Sequence, residues 1–179
     1  EIFPQNTACD PRQAVAAANK LINLDGVGVV GAYCSSATIP ASDVLAEEDI
    51  LMITPASTNE KVTERGLPYM FRMCGRDDAQ APAGVQFIKA ALKGEAVFIV
   101  DDKTTYSQGL AENVKIQCEK LGVTVLAHDH VNQGDKDFSA VLTKVKQAKP
   151  DVFYVSLQNS ASGSLMAIQA KRMGLSSTI

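Results

Sequence analysis

The segment VGVVGAYCSSATIP, residues 27–40, places an apolar run directly before small hydroxyl residues and a helical pattern. The apolar run, residues 27–32, predicts a buried strand, and Pro40 is expected within the first turn of the following helix. The first N–H groups of a helix have no partner within that helix. Ser35 and Ser36 therefore either contribute to an anion-binding site or cap the helix.

The rest of the chain continues this alternation of strand and helix patterns. Asp10 is a predicted N-cap, Pro11 a first helical residue, and Gln13 stands three residues after the cap. Further helices are predicted near residues 37–48 and 79–92, with Pro82 close to the start of the second, and around Leu110, Val141 and Met166. Strands are predicted at residues 50–54, 67–72, 96–100, 123–127 and 152–156, with a strand end at residues 1–3. The alternation predicts an α/β fold with doubly wound parallel sheets that bind ligands at the carboxyl ends of the strands.

Length and charge restrict the classes of partner. The chain has 179 residues and a net charge of −3, so nucleic acid and anionic membranes are poor partners. No apolar run approaches the roughly 20 residues that span a bilayer. The first residues lack the basic and apolar regions of a signal peptide, so an exported protein is expected to be present here in a mature or trimmed form.

Four cysteines and two histidines are present, but none of the cysteines forms a CxxC pair. The histidines, His128 and His130, lie far from the cysteines in sequence. A zinc site is therefore not expected, and no other metal or cofactor is predicted. Cys9 precedes a predicted helix and Cys34 ends the strand after it, so the two either lie close enough to pair or remain free thiols like Cys74 and Cys118.

Known enzyme motifs are missing. No GxGxxG opens a helix after a strand, and the sequence contains no GxxxxGK[ST] and no GxSxG. His128 and His130 are expected as solvated residues of a polar loop, residues 128–136. Asp101 and Asp102 are expected to form a helix-entry turn, with a metal-dependent active site as the alternative. The remaining polar groups at the strand ends offer hydrogen bonds without a nucleophile or a base, which indicates binding rather than catalysis.

Several motifs together resemble the leucine/isoleucine/valine-binding proteins of bacterial ABC importers, the type I periplasmic solute-binding proteins. They occur in the family's order and cover nearly the whole chain: ACDPRQAV (8–15), CSSAT (34–38), ITPASTN (53–59), FR (71–72), CGRDD (74–78), DKTTYSQG (102–109) and GDKDFS (134–139).

This resemblance implies two doubly wound lobes that close on an amino acid. Residues 1–76 would be part of the first lobe and residues 77–179 most of the second, with the family's first strand and helix and its C-terminal part outside this sequence. Cys9 and Cys34 would form the family's disulfide, leaving Cys74 and Cys118 free. A disulfide implies a periplasmic setting, or an extracellular, membrane-anchored one in a Gram-positive bacterium. The expected partner is the importer's permease.

The same resemblance implies the ligand contacts. Ser35 would hold the carboxylate of the amino acid, the Ala56 carbonyl and the Thr58 hydroxyl would take its ammonium group, and Tyr106 would close over it. Where branched-chain binders have a tyrosine, this sequence has Gln158. Because a buried amide needs a partner, Gln158, with the extra hydroxyl of Ser57, suggests a ligand more polar than leucine.

Two other functions stay open at this stage. The same lobes serve as sensory ectodomains of receptors and chemoreceptors. A small α/β enzyme that uses Asp101 and Asp102 is the more remote alternative.

Overall fold

Two three-stranded parallel sheets, one in each of two units, organise the chain. The computed structural model describes residues 1–179 and divides them into Glu1–Asp77 and Asp78–Ile179. Helices follow strands in both units, as the sequence predicts. None of the helices combines the length and apolar character that a bilayer crossing requires.

The first unit contains strands β1 (Gly28–Val30), β2 (Leu51–Thr54) and β3 (Met70–Arg72), in the order β1-β2-β3. Helix α1 spans Pro11–Ile22, α2 spans Ser35–Glu47, and one turn of 3₁₀ helix spans Glu60–Val62. Small residues let α1 and α2 approach each other and the sheet closely. The core of this unit is Ala14, Ala18, Cys34, Ala37, Ala41, Leu45, Met52, Val62 and Met70.

The start of α1 is the one that the sequence predicts. Asp10 lies before the helix in an extended conformation, and its side chain accepts a hydrogen bond from the Gln13 N–H at 2.8 Å. Pro11 is the first helical residue, where its missing N–H costs nothing because that group would have no partner in the helix.

Three expectations for this unit are wrong. No strand forms at residues 1–3. The strand predicted at residues 27–32 is not buried: Val27 is 96% exposed and Val30 is 84% exposed. The reason is that β1 is an edge strand with a neighbour on one side only. Pro40 lies well inside α2 rather than in its first turn, since the helix already begins at Ser35.

The second unit contains strands β4 (Ala96–Asp101), β5 (Thr124–His130) and β6 (Val152–Ser156), in the order β5-β4-β6. Helix α3 spans Asp77–Ala90, α4 spans Thr105–Leu121, α5 spans Ser139–Ala148 and α6 spans Ser160–Arg172. Pro82 is an interior residue of α3, not one near its start, because the helix begins two residues before the predicted boundary.

Helices cover both faces of this second sheet. Val97 and Ile99 of β4 pack into one apolar core with residues of α3 and α4. Phe98 and Val100 pack into a second core with residues of α5 and α6. Alternate residues of a strand point to opposite faces, so the two cores lie on opposite sides of the sheet. The predicted parallel, doubly wound α/β fold is confirmed.

One predicted loop of this unit is a strand. His128 and His130 belong to β5, which pairs in parallel with β4 so that Asp101 lies opposite His130. The strand is at the edge of its sheet, where polar side chains are tolerated, and its alternating polar residues therefore resembled a loop.

Candidate functional site

Helix α2 begins with two serines that do not cap it. The residue before the helix is Cys34, which makes no side-chain capping bond. Backbone hydrogen bonds of the first turn start with the N–H groups of Ala37 and Thr38, both of which donate to the Cys34 carbonyl. The N–H groups of Ser35 and Ser36 thus lie at the positive end of the helix dipole without a partner inside the helix.

Both serine hydroxyls bond to other parts of the first unit. The Ser35 hydroxyl, almost fully buried, accepts a hydrogen bond from the Asn59 N–H at 3.2 Å. The Ser36 hydroxyl donates to the Cys9 carbonyl at 3.0 Å. Cys9 is joined to Cys34 by the expected disulfide, with a Cα–Cα distance of 5.4 Å. The segment before α1 is therefore fixed to the start of α2 twice, once covalently.

The loop after β2 is held from inside by hydroxyl groups. Thr38, Thr54 and Ser57 all approach the Ala32 carbonyl, at 3.0, 2.7 and 3.2 Å. The Ser57 hydroxyl also lies 2.6 Å from that of Thr38 and 3.1 Å from the Tyr33 carbonyl. Ser57 is 1% exposed, so its hydroxyl is committed to internal partners and fixes the loop between β2 and the 3₁₀ turn.

Arg72, at the end of β3, clamps the same loop. Its Nη1 donates to the Asn59 carbonyl at 2.7 Å and to the Ser57 carbonyl at 3.3 Å, and its Nη2 donates to the Thr63 hydroxyl at 2.8 Å. The sequence pattern did not predict a role for Arg72. The sequence feature that could have indicated this role is a single arginine at the end of an apolar strand, the strand that follows the loop in the chain.

Thr58 differs from its neighbours. Its hydroxyl oxygen is buried and has no hydrogen-bond partner, whereas its carbonyl accepts the Asp77 N–H at 3.0 Å. A buried hydroxyl without a partner costs about 1–3 kcal/mol. Since Asn59 is tied to Ser35, the first unit brings Ser35 and the loop with Ala56, Ser57 and Thr58 together at the carboxyl end of its sheet.

A separate set of polar residues lies at the carboxyl ends of β4 and β6 in the second unit. The Ser107 hydroxyl accepts the Asp102 N–H at 2.7 Å and donates to the Ser156 carbonyl at 2.8 Å, while the Ser156 hydroxyl donates to the Ser107 carbonyl at 3.0 Å. These bonds hold the N-terminal turn of α4 against the end of β6. Tyr106, in that turn, is half-buried against the core of α3 and α4.

Gln158 is fixed by its backbone and not by its side chain. The Asp102 carboxylate accepts the Gln158 N–H at 2.7 Å, and its other oxygen accepts from the N–H and hydroxyl of Thr104. The Gln158 Oε1 atom is buried without a partner. Asp102 therefore forms the expected helix-entry turn, with Thr104 as the N-cap of α4.

Asp101 and the two histidines form a further cluster. The Asp101 Oδ2 atom lies 2.6 Å from the His128 Nε2 atom and 2.7 Å from the His130 Nδ1 atom. The histidines are thus strand residues that contact a carboxylate and not the loop residues that the sequence suggested, although His130 is exposed, because β5 carries both side chains to the end of β4.

A cavity of about 770 Å³ in the first unit lies away from these residues. It is lined mainly by apolar side chains of residues 1–7, α1, β1 and α2, among them Val29, Leu45 and Met52. None of Ser35, Ala56, Ser57 and Thr58 lines it. We therefore do not assign the ligand to this cavity.

Comparison with known proteins gives consistent results. The family model described as "Periplasmic binding protein" matches residues 1–179. An "Amino acid binding protein" of Pseudomonas aeruginosa is 46% identical over 176 residues, which are 98% of this chain and 47% of that protein. A "Leucine-, isoleucine-, valine-, threonine-, and alanine-binding protein" of the same organism is 43% identical over 169 residues, 94% of this chain and 45% of that protein.

A solved structure agrees with these relatives. The leucine binding protein LivK of Thermotoga maritima superposes with a TM-score of 0.93 at 26% identity, over 99% of this chain and 50% of that one. The chain thus spans about half the length of the proteins that it matches. The relatives are named as binding proteins rather than as enzymes.

Proposed function

Because this chain belongs to the periplasmic binding protein family, we propose that it is part of an extracytoplasmic solute-binding protein that delivers an amino acid to an ABC importer. The names of the relatives support an amino-acid ligand, and one of those names includes threonine and alanine beside the branched-chain amino acids. The disulfide between Cys9 and Cys34 supports an oxidising compartment, either the periplasm or the outer surface of a Gram-positive cell. The importer's permease is the proposed partner.

The observation that carries the proposal is the buried Thr58 hydroxyl without a partner. It lies in the loop that Arg72 and Ser57 hold in place, next to the residue that bonds Ser35. A polar atom that the protein desolvates and leaves unsatisfied is expected to receive its partner from a ligand. An ammonium group, with three N–H donors, would satisfy it.

A zwitterion suits the polarity of this part of the first unit. The N–H groups of Ser35 and Ser36, at the positive end of α2, would attract a carboxylate. The Ala56 carbonyl and the Thr58 hydroxyl would accept hydrogen bonds from the ammonium group. Only short side chains and backbone are required, which agrees with the absence of charged side chains among Ser35, Ala56, Ser57 and Thr58.

The remaining candidates receive different roles in this proposal. Ser57 positions the loop and does not touch the ligand, because its hydroxyl already has internal partners. Tyr106 and Gln158 are proposed as ligand contacts on the strength of the family resemblance alone. The unsatisfied Oε1 atom of Gln158 favours a ligand with a hydrogen-bond donor in its side chain over leucine.

Isothermal titration of the protein expressed from its full gene against the twenty amino acids tests the proposal. We expect saturable binding of at least one of them, and binding of none would overturn the function. The Thr58→Val variant, which keeps the shape and removes the hydroxyl, should weaken that binding by about 1–3 kcal/mol. Thr143→Val is the matched control, because the Thr143 hydroxyl bonds only within α5. Equal affinities for both variants would remove Thr58 from the site.

A further inference from the structure

The only two histidines of the chain face one buried carboxylate. Asp101 ends β4 with a fully buried side chain, and its Oδ2 atom lies within 2.7 Å of a ring nitrogen of both His128 and His130. The two histidines are two residues apart on β5, so their side chains point to the same side of that strand. The side chain of His128 is 13% exposed and that of His130 is 40% exposed, which leaves the cluster open to solvent on one side.

Neighbouring groups orient Asp101 towards the histidines. Its other oxygen, Oδ1, accepts the Lys103 N–H at 2.8 Å. The adjacent charges have partners elsewhere: the Lys103 ammonium donates to the Asn132 side chain at 3.0 Å, and Asp129, between the histidines, bonds to Lys144 at 2.6 Å. One carboxylate oxygen and two imidazole nitrogens are thus left facing each other.

These three atoms have the chemistry of a metal site and lie close enough together to form one after small rotations. All of them lie within 4.8 Å of one another. Zinc–nitrogen and zinc–oxygen bonds are about 2.0–2.2 Å long, so two donors on a tetrahedral zinc ion are about 3.4 Å apart. The Asp101 oxygen is about 0.7–0.8 Å closer to each nitrogen than that separation, so small rotations of all three side chains are needed to bring the donors to zinc distances. Two imidazoles and a carboxylate are a known catalytic-type zinc donor set, in which water completes the coordination.

We propose that Asp101, His128 and His130 bind a divalent transition-metal ion, with Zn²⁺ as the best fit. His128 would bind through Nε2 and His130 through Nδ1, with Asp101 through Oδ2 and water on the side open to solvent. The ion would replace two hydrogen bonds and link the ends of β4 and β5. The sequence could not indicate this site, since Asp101 is 27 residues from the nearer histidine. It does not depend on the proposed amino-acid binding.

Calorimetric titration of the chain with ZnCl₂ tests the proposal. We expect one saturable site that EDTA empties, together with a higher unfolding temperature when zinc is bound, because a ligand of the native state stabilises it. The His130→Gln and His128→Gln variants should each weaken binding at least tenfold. Replacement of His130 should disturb folding less than replacement of His128, because the His130 side chain is partly exposed and its replacement leaves the core intact.

Two control variants separate this site from other zinc donors. Asp129→Asn removes the carboxylate between the histidines that points to Lys144, and Cys74→Ser removes the more accessible free thiol. Both should bind zinc with affinities within twofold of the wild type. A direct readout is the NMR signal of the two imidazole rings, both of which should shift with one equivalent of zinc. The proposal is overturned by absence of saturable binding, by histidine variants with unchanged affinity, or by loss of binding in Cys74→Ser.

Discussion

The Ser35 hydroxyl accepts a hydrogen bond from the Asn59 N–H at 3.2 Å, which ties the start of α2 to the loop after β2, as does the contact between the Thr38 and Ser57 hydroxyls. The two residues are 24 positions apart, and both are buried. The bond brings the free N–H groups of the first helical turn close to the loop that contains Thr58. The candidate amino-acid site of the first unit depends on this link.

Replacing Ser35 by alanine should affect both stability and ligand affinity. Loss of the bond to Asn59 should lower the free energy of unfolding by about 1 kcal/mol, and loss of a hydroxyl contact to a charged ligand group should weaken binding by about 1–3 kcal/mol. Urea unfolding and calorimetry measure the two effects. Ser36→Ala is the control, because the Ser36 hydroxyl bonds to the Cys9 carbonyl. This variant should lower the free energy of unfolding and leave the ligand affinity unchanged. Unchanged affinity in the Ser35 variant would contradict the assignment.

Arg72 should be required to hold the loop. Its guanidinium donates to two carbonyls and one hydroxyl in a forked arrangement that lysine cannot reproduce. We expect Arg72→Lys to lower the free energy of unfolding by about 1.5–3 kcal/mol, the range for hydrogen bonds to charged groups. Arg12→Lys, at an exposed position of α1, should change stability by less than about 0.5 kcal/mol. Equal stabilities of the two variants in chemical denaturation would show that the Arg72 guanidinium does not stabilise the loop.

The disulfide between Cys9 and Cys34 should contribute strongly to stability. It closes a loop with a sequence separation of 25, for which the chain-entropy estimate is about 3.5 kcal/mol. We expect reduction with dithiothreitol to lower the denaturation midpoint accordingly. The double variant Cys9→Ala, Cys34→Ala should show the lower midpoint in both conditions. A wild-type midpoint that does not respond to reductant would contradict the prediction.

The two free thiols should differ in reactivity. Cys118 is fully buried, and burial raises its pKa from 9.0 to about 11, whereas Cys74 is partly exposed. A thiol reagent at pH 8 should therefore label Cys74 about tenfold faster or more, and Cys74→Ser should remove the fast phase. Fast labelling that persists in Cys74→Ser would show that Cys118 is accessible.

The same pKa shift predicts a pH dependence of stability. Since the folded-state pKa of Cys118 is raised, the folded protein keeps a proton that the unfolded chain releases between pH 9 and about 11. Stability should therefore fall as the pH rises through this window. The Cys118→Ala variant isolates the effect, because the stability difference between it and the wild type should shrink or reverse from pH 8 to pH 11.

Local patterns predicted most of the fold, because strand and helix periodicity is a property of neighbouring residues. The burial of edge strands was harder to predict. The apolar run at residues 27–32 has the composition of a buried strand but lies at a sheet edge, where Val27 and Val30 remain exposed. His128 and His130 show the converse: they belong to an edge strand, but its polar residues resembled those of a loop. Sequence spacing does not report which neighbour a strand has.

The candidate site was predictable only in part. The family's motifs pointed to Ser35 and Thr58, although not to the contacts that position them. Arg72 and the Ala32 carbonyl were missed because their partners lie in other elements and loops of the unit, between 6 and 25 residues away. Asp101 and the histidines were considered separately, since only the pairing of β4 with β5 brings them together.

Gln158 should control the preference for the ligand's side chain. Its Oε1 atom is buried without a partner, so it should favour a ligand side chain with a donor and disfavour an apolar one. We expect Gln158→Leu to shift the ratio of leucine to threonine affinity towards leucine by about 1–3 kcal/mol, the cost of an unsatisfied buried polar group. Competitive calorimetry on the full-gene protein measures the ratio. Gln169→Leu is the control, because that amide bonds to residues of the α5 region, Phe138 and Lys136. An affinity ratio that stays unchanged in Gln158→Leu would remove Gln158 from the ligand's surroundings.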